Sequence, residues 1–291
     1  MSGIYLKNDS EEQKWDREVK SENSLFDLKL KEVWDYRDLI MLFVWRDFVA
    51  QYKQTVLGPL WQFVQPALTT FIFLMFFSKV AKIPTDGISP VVFYMAGITL
   101  WNFFSNCLIT ISNTFITNAY IFGKVYFPRL VLPISLAISN IIKFGFQFLL
   151  LIGVMIYYHF HGYPLHFGLN LLVIPFLLIQ MAALGLGLGI ILSSITIKYR
   201  DFNLLLSFGL QLFIYATPIV FPLSYITNPT YRLFINLNPL TSIIESFRLA
   251  LLNQGTVAIN GVVYSIGFTL ATLFFGILLF NKVQKTFVDN V

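Results

Sequence analysis

Acidic residues almost vanish from this 291-residue chain after Asp47. Eleven of the fifteen lie between Asp9 and Asp47, and only Asp86, Asp201, Glu245 and Asp289 follow. Five stretches then run without a charged side chain: Lys53 to Lys79, Asp86 to Lys124, Lys143 to Lys198, Asp201 to Arg232 and Arg248 to Lys282. A charge at the centre of a bilayer costs at least roughly 2.5–3.5 kcal/mol on insertion scales, so these gaps are where the chain can cross a membrane. With 56% hydrophobic and 12% charged residues, the composition is far from that of a water-soluble domain.

About 20 helical residues cross the hydrocarbon core, which predicts spans at about 60–78, 91–113, 131–157, 169–194, 203–221 and 261–281. The expected fold class is all-α integral membrane with six transmembrane helices. The longest gap holds most of two spans, parted at the turn-rich His159 to Pro164. With the N-terminus inside, the cytosolic parts carry fifteen Lys and Arg: nine before Gly58, then Lys124, Arg129, Lys198, Arg200, Lys282 and Lys285. The outer loops carry Lys79, Lys82, Arg232 and Arg248, and Lys143 falls inside the third span. That asymmetry predicts cytosolic termini. The opening residues are polar and of mixed charge, unlike a secretory leader, so the first span is expected to direct insertion. Residues 1–34 are expected to form a flexible tail with too little apolar surface to fold alone. The single cysteine, Cys107, excludes an intrachain disulfide.

Connections carry the functional signals. Trp45-Arg46-Asp47 leads through Gln51 to Thr55 into Gly58-Pro59 and the first span, so a charged aromatic segment turns directly into the membrane. The first inner loop, Asn118 to Arg129, interleaves aromatics with cations, and two readings stay open: partner docking and anchoring in the headgroup layer. The second, Ile197 to Phe202, reads as a positive-inside turn with Asp201 capping the fifth helix. These three elements share the cytosolic face. The outer connection, about 222–260, is too long for a turn. Thr241 or Ser242 is expected to cap a helix beginning near Ile243, too short to span and suited to re-entry, with Glu245 and Arg248 paired at i, i+3.

Gly185, Gly189 and Ser193 form a small-residue stripe suited to close helix packing. His159, His161 and His166 have no Cys or carboxylate nearby and read as an interfacial His/Tyr loop rather than a metal site. The chain carries no Gly-x-x-x-x-Gly-Lys-Ser/Thr phosphate loop, and its later carboxylates are isolated in sequence. It is expected to be no enzyme. If nucleotide drives it, hydrolysis belongs to another subunit.

The run Trp45 to Pro66, Val125-Tyr126-Phe127-Pro128-Arg129 with Leu132-Pro133, Tyr199-Arg200-Asp201, Ala216-Thr217-Pro218-Ile219-Val220, and Asn238-Pro239-Leu240-Thr241 with Phe247-Arg248 together resemble the membrane subunit of ABC-2 type polysaccharide exporters. Those permeases export O-antigen, teichoic acid and capsule-like polymers from bacteria. The resemblance implies an ABC-2 transmembrane domain over 35–291, with an N-terminal amphipathic interface helix at 36–54 and short re-entrant gate helices between spans five and six. It also implies a homodimer in the inner membrane bound to two copies of an ABC ATPase, which holds ATP and Mg, with a lipid-linked polysaccharide as substrate. No cofactor or nucleic-acid partner is expected for this chain. An exporter of a small drug or lipid, and an ATP-independent channel or scramblase, remain as alternatives.

On this resemblance, Arg46, Lys53, Gln54, Lys124, Phe127, Pro128, Arg129, Lys198, Arg200 and Asp201 are expected to couple to the ATPase. Pro218, Pro222, Pro239, Glu245 and Arg248 are expected at the outer gate. Tyr94, Trp101, Phe103, Phe104, Phe213 and Tyr215 flank polar residues in spans two and five and are the channel-lining candidates, because aromatic faces suit the C–H faces of sugars. Lys143, with Arg129 or Lys53, is a candidate contact for the pyrophosphate of a lipid carrier; snorkelling to headgroups is its other reading.

Overall fold

A computed structural model describes residues 30–53, 55–122, 124–163, 169–199 and 201–288. The described residues are helical, with no strand among them. In chain order the helices are α1 (Leu30–Asp35), α2 (Arg37–Tyr52), α3 (Trp61–Phe73), α4 (Pro90–Ser112), α5 (Thr114–Thr117), α6 (Ala119–Phe122), α7 (Val131–Phe160), α8 (Val173–Lys198), α9 (Phe202–Phe213), α10 (Pro229–Asn236), α11 (Pro239–Leu252) and α12 (Ile259–Val288). A 3₁₀ turn before α3 and a π-helical stretch after it extend that helix to a run of Gly58–Val80.

Five runs are long and apolar enough to cross a membrane: Gly58–Val80, Pro90–Ser112, Val131–Phe160, Asn170–Lys198 and Ile259–Lys282. The expected fifth span, 203–221, takes a different form. Its helical run is Phe202–Ala216, about 22 Å at 1.5 Å per residue, against a hydrocarbon core of about 30 Å. Pro218 is the cause: the residue before a proline is driven out of the helical region, and Thr217 is extended at φ −115°, ψ 153°. Residues 217–220 then fold inward and are buried.

α4 is the centre of the molecule. Val92 to Trp101 are buried without interruption, because α8, α7 and α3 pack around the helix and α11 and α9 cover its flanks. α8 lies between α4 and α12. The Gly185/Gly189 stripe faces α4, where added Cβ atoms would fall 2.9 Å from Cys107 Cβ and 2.8 Å from Ile111 Cβ. A second pair, Gly187 and Gly276, brings α8 and α12 together backbone to backbone. Small residues let helices approach this closely where lipid supplies no hydrophobic drive for association.

α2 packs along α7 through Ile40, Phe43 and Val44. Its other side exposes Met41, Leu42 and Trp45. Two apolar faces leave no single polar stripe, which accounts for charges spread around the helix.

α11 does not begin where the sequence suggests. It starts at Pro239, where the Asn238 side chain accepts a hydrogen bond from Leu240 N at 3.0 Å, while Thr241 Oγ1 donates instead to Ile235 O. Asn before Pro is a ready-made helix start, since Pro lacks the N–H that the first turn leaves unpaired. α10 begins the same way, with Asn228 capping Thr230 N ahead of Pro229.

Candidate functional site

Three groups of side chains stand out. The first lies where α2 meets the loop after α4. Phe127 is buried against Phe43 of α2 and Phe122 of α6, and the Arg129 guanidinium sits 5.6 Å from the Phe122 ring centroid. Burial lowers the pKa of Arg129 from the usual arginine value. Arg46 pairs with Asp47 at 2.6 Å and donates to Asn118 Oδ1 at 3.3 Å. Arg46, Phe127 and Arg129 therefore belong to one packed seam between α2 and the loop, with Pro128 half-buried beside them. Lys53 and Lys124 are exposed, as are Lys198, whose Nζ lies 5.2 Å from the Tyr199 ring centroid, and Asp201. Asp201 holds the position before α9, but its side chain makes no capping bond. The start of α9 is tied to the C-terminal end of α4 by Asn113 Nδ2 donating to Asn203 Oδ1 at 2.9 Å. Gln54, Arg200 and His166 lie outside the described residues.

Lys143 lies half-buried on α7, the helix along which α2 packs. Arg129 precedes α7, along which Val131 and Lys143 are separated by a rise of about 18 Å.

The second group is aromatic. Tyr215 stacks on Phe73 at 6.5 Å and lies 6.3 Å from Phe77, and both phenylalanines contact Tyr94. Trp101 contacts both Phe104 and Phe213 at 6.0 Å. Five of the six channel candidates thus gather where α3 and α9 lie on α4. Phe103 does not join them: it points to the opposite side of α4, packing 5.4 Å from Phe144 of α7. Neighbouring helix positions diverge in direction, which local polarity does not resolve. Tyr94, Trp101 and Phe104 are buried, whereas Tyr215 is 52% and Phe213 38% exposed. Along α9, Phe208, Gln211, Leu212 and Tyr215 share one exposed face at i, i+3, i+4, i+7. On α3, Trp61, Gln65, Leu68, Ile72 and Met75 form another.

The third group surrounds the break after α9. Arg248 is 1% and Glu245 2% exposed, and the two pair at 3.2 Å. Arg248 Nη1 also donates to Pro218 O and Nη2 to Ile219 O. Its guanidinium lies 3.8 Å from the Phe93 ring centroid. Glu245 Oε2 accepts from Thr256 N at 2.9 Å. Pro222 is buried and extended, and Pro239 O accepts from Ser265 Oγ of α12 at 2.7 Å. The i, i+3 pairing was readable in the sequence. Its inward direction was not.

Beside this group, α10, the start of α11 and the start of α12 enclose a cavity of about 580 Å³ lined by Asn236, Ser242, Glu245, Thr256, Asn260 and Tyr264, among others.

The chain matches the ABC-2 type transporter family over residues 38–252. Among curated proteins it is 30% identical over 255 residues to two O-antigen export system permease proteins, RfbA, of Klebsiella pneumoniae, covering 87% of this chain and 94% of each relative. It is 28% identical over 222 residues to the O-antigen export system permease protein RfbA of Myxococcus xanthus, covering 75% of this chain and 82% of that one.

Proposed function

Because the chain belongs to the ABC-2 type transporter family, we propose that it is the permease subunit of an exporter that carries a lipid-linked polysaccharide, O-antigen-like or related, across the bacterial inner membrane. ATP and magnesium are handled by a separate ABC ATPase, two copies of which meet two copies of this chain. One observation carries this reading: the O-antigen permeases align with 87% of the chain and 94% of their own length, so the likeness spans the membrane domain rather than a fragment of it.

In this reading α9, with the folded segment 217–222, serves as the short sixth crossing, and both termini are cytosolic. α10 and α11 are re-entrant gate helices. The exposed faces of α3 and α9 meet their copies in a homodimer and border the channel between them. A polymer has to slide, so its path needs many weak contacts. Tyr215 and Phe213 offer flat apolar rings to sugar C–H faces; Trp101, itself against Phe104, backs Phe213, and Phe73 and Phe77, both against Tyr94, back Tyr215. Gln211 supplies hydrogen bonds on the same face. At the cytosolic side, α2 with the 118–129 loop, and the turn at Lys198 to Asp201, form the surface for the ATPase; Lys53, Lys124 and Lys198 are its exposed cations.

The test is reconstitution in a bacterium that makes a lipid-linked O-antigen but lacks its exporter. Surface glycan is expected only when this chain and a cognate ATPase with an intact phosphate loop are both expressed. Export that persists without any ATPase, or failure to co-purify with every candidate ATPase, overturns the proposal.

A further inference from the structure

The polar cluster around Arg248 joins parts of the chain that the fold otherwise leaves loosely connected. α9 rests on α4 and α8 through small contacts with each. Its inner end follows the cytosolic turn at Tyr199 directly, and its outer end is the break at Thr217. A break at membrane depth leaves backbone carbonyls that lipid cannot satisfy. Arg248, on α11, takes two consecutive ones, those of Pro218 and Ile219.

We propose that Arg248 is a positioning residue, the joint through which movement of α9 reaches α11 and, through it, α10; this rests on the transport reading above. A planar fork of donors can grip two neighbouring carbonyls in a fixed orientation, which a lysine ammonium cannot do. Two further contacts lock the fork. Phe93 lies against its face, and Glu245 holds Nη1 at 3.2 Å while accepting from Thr256 N of the loop before α12. Gly97 of α4 leaves room for it: a Cβ there would come within 3.3 Å of Nη2 and 2.9 Å of Ile219 Cγ2.

Stability alone does not explain this arrangement. Replacing a buried ion pair by apolar side chains of similar volume is often neutral or stabilising. What an apolar pair cannot provide is a directional grip on the 218–219 carbonyls. With that grip, α11 follows the outer end of α9 when the cytosolic turn is displaced. Without it, α9 slides on α4 and α11 stays behind.

The experiment uses the full chain assembled with its ATPase in lipid nanodiscs and in cells. Spin labels on the exposed positions Gly209 of α9, which lies off the Phe208–Tyr215 face and has nothing within 4 Å of its Cβ position, and Tyr231 of α10 report distances with and without ATP. In the otherwise native chain both labels are expected to shift together on nucleotide binding. In Arg248→Lys the α9 label still shifts, the α10 label does not, and export per ATP hydrolysed falls roughly 2- to 30-fold, the range for breaking one coupling contact. Assembly and ATP hydrolysis persist. Gly97→Ala crowds the same joint without altering charge, and is expected to give the same pattern if Arg248→Lys fails to accumulate. The proposal is overturned if either variant keeps the joint shift and full export, or if both lose assembly and hydrolysis along with export. Should the unaltered complex export no glycan, the transport reading fails, whereas the label distances still decide the joint.

Discussion

The α8–α12 seam allows a sharp test of the fold. An added Cβ at Gly276 would lie 2.8 Å from Gly187 O, and one at Gly187 would lie 2.8 Å from Leu273 N and from the carbonyl carbon of Thr272. Ordinary contact begins near 3.4 Å, so one methyl group forces the helices apart by about 0.6 Å. The obstructing atoms are backbone, so no rotamer change relieves the overlap, and overpacking of this kind costs about 1–3 kcal/mol. Gly267 is the internal control. It lies in the same helix with nothing within 4 Å of its Cβ position. Both Gly→Ala changes gain a similar helix propensity, roughly 0.8–1.0 kcal/mol, so the difference between them isolates the overlap. Equilibrium unfolding of the two variants in one detergent should therefore place Gly276→Ala about 1–3 kcal/mol below Gly267→Ala. Equal stability would refute the backbone contact. It would also remove the support for α11, whose start is anchored to this seam by Ser265 Oγ donating to Pro239 O and Gln180 Nε2 donating to Ser265 Oγ.

Two further predictions separate coupling from packing. Lys124→Glu with Lys198→Glu reverses two exposed cations, and exposed charges contribute little to folding. Retention of the ATPase on an affinity column should fall while the melting temperature of the isolated chain stays put; unchanged retention at low and high salt would dismiss the docking surface. Tyr215→Ala removes ring contacts worth about 0.5–1.5 kcal/mol each but leaves a half-exposed site, so surface glycan should drop while the complex still assembles. Phe103→Ala, buried against Phe144 on the far side of α4, should do the reverse, lowering stability by about 3–5 kcal/mol and affecting export only through protein abundance. Identical export defects in Tyr215→Ala and Phe103→Ala at matched protein level would argue against the aromatic face as the channel wall.

What could be read from the sequence divides along physical lines. Charge-free gaps mark membrane helices because the cost of burying charge is large and acts residue by residue. The gap bounded by Lys53 and Lys79 accordingly holds the run Gly58–Val80 apart from its last two residues, and the gap between Lys143 and Lys198 holds most of two helices. That rule says nothing about backbone shape. The gap after Asp201 looks like a full span, yet Pro218 ends the helix early and the remainder folds back into the protein. Close packing is legible only when both partners share a helix spacing. Gly185 and Gly189 show that spacing, whereas Gly187 and Gly276 meet across 89 positions and carry no local pattern.

The cluster around Arg248 shows the same limit in its strongest form. Glu245 and Arg248 sit three residues apart on a short apolar helix, which predicts a pair on its one polar side without fixing where that side points. The structure turns that side inward because the break at Pro218 leaves two carbonyls in need of donors, and one guanidinium satisfies both. The reason for Arg248 thus lies thirty residues upstream, in a proline. A charged pair on an otherwise apolar short helix, downstream of a proline that cuts a membrane span, is accordingly a pattern to search for wherever a chain breaks its helix inside a bilayer.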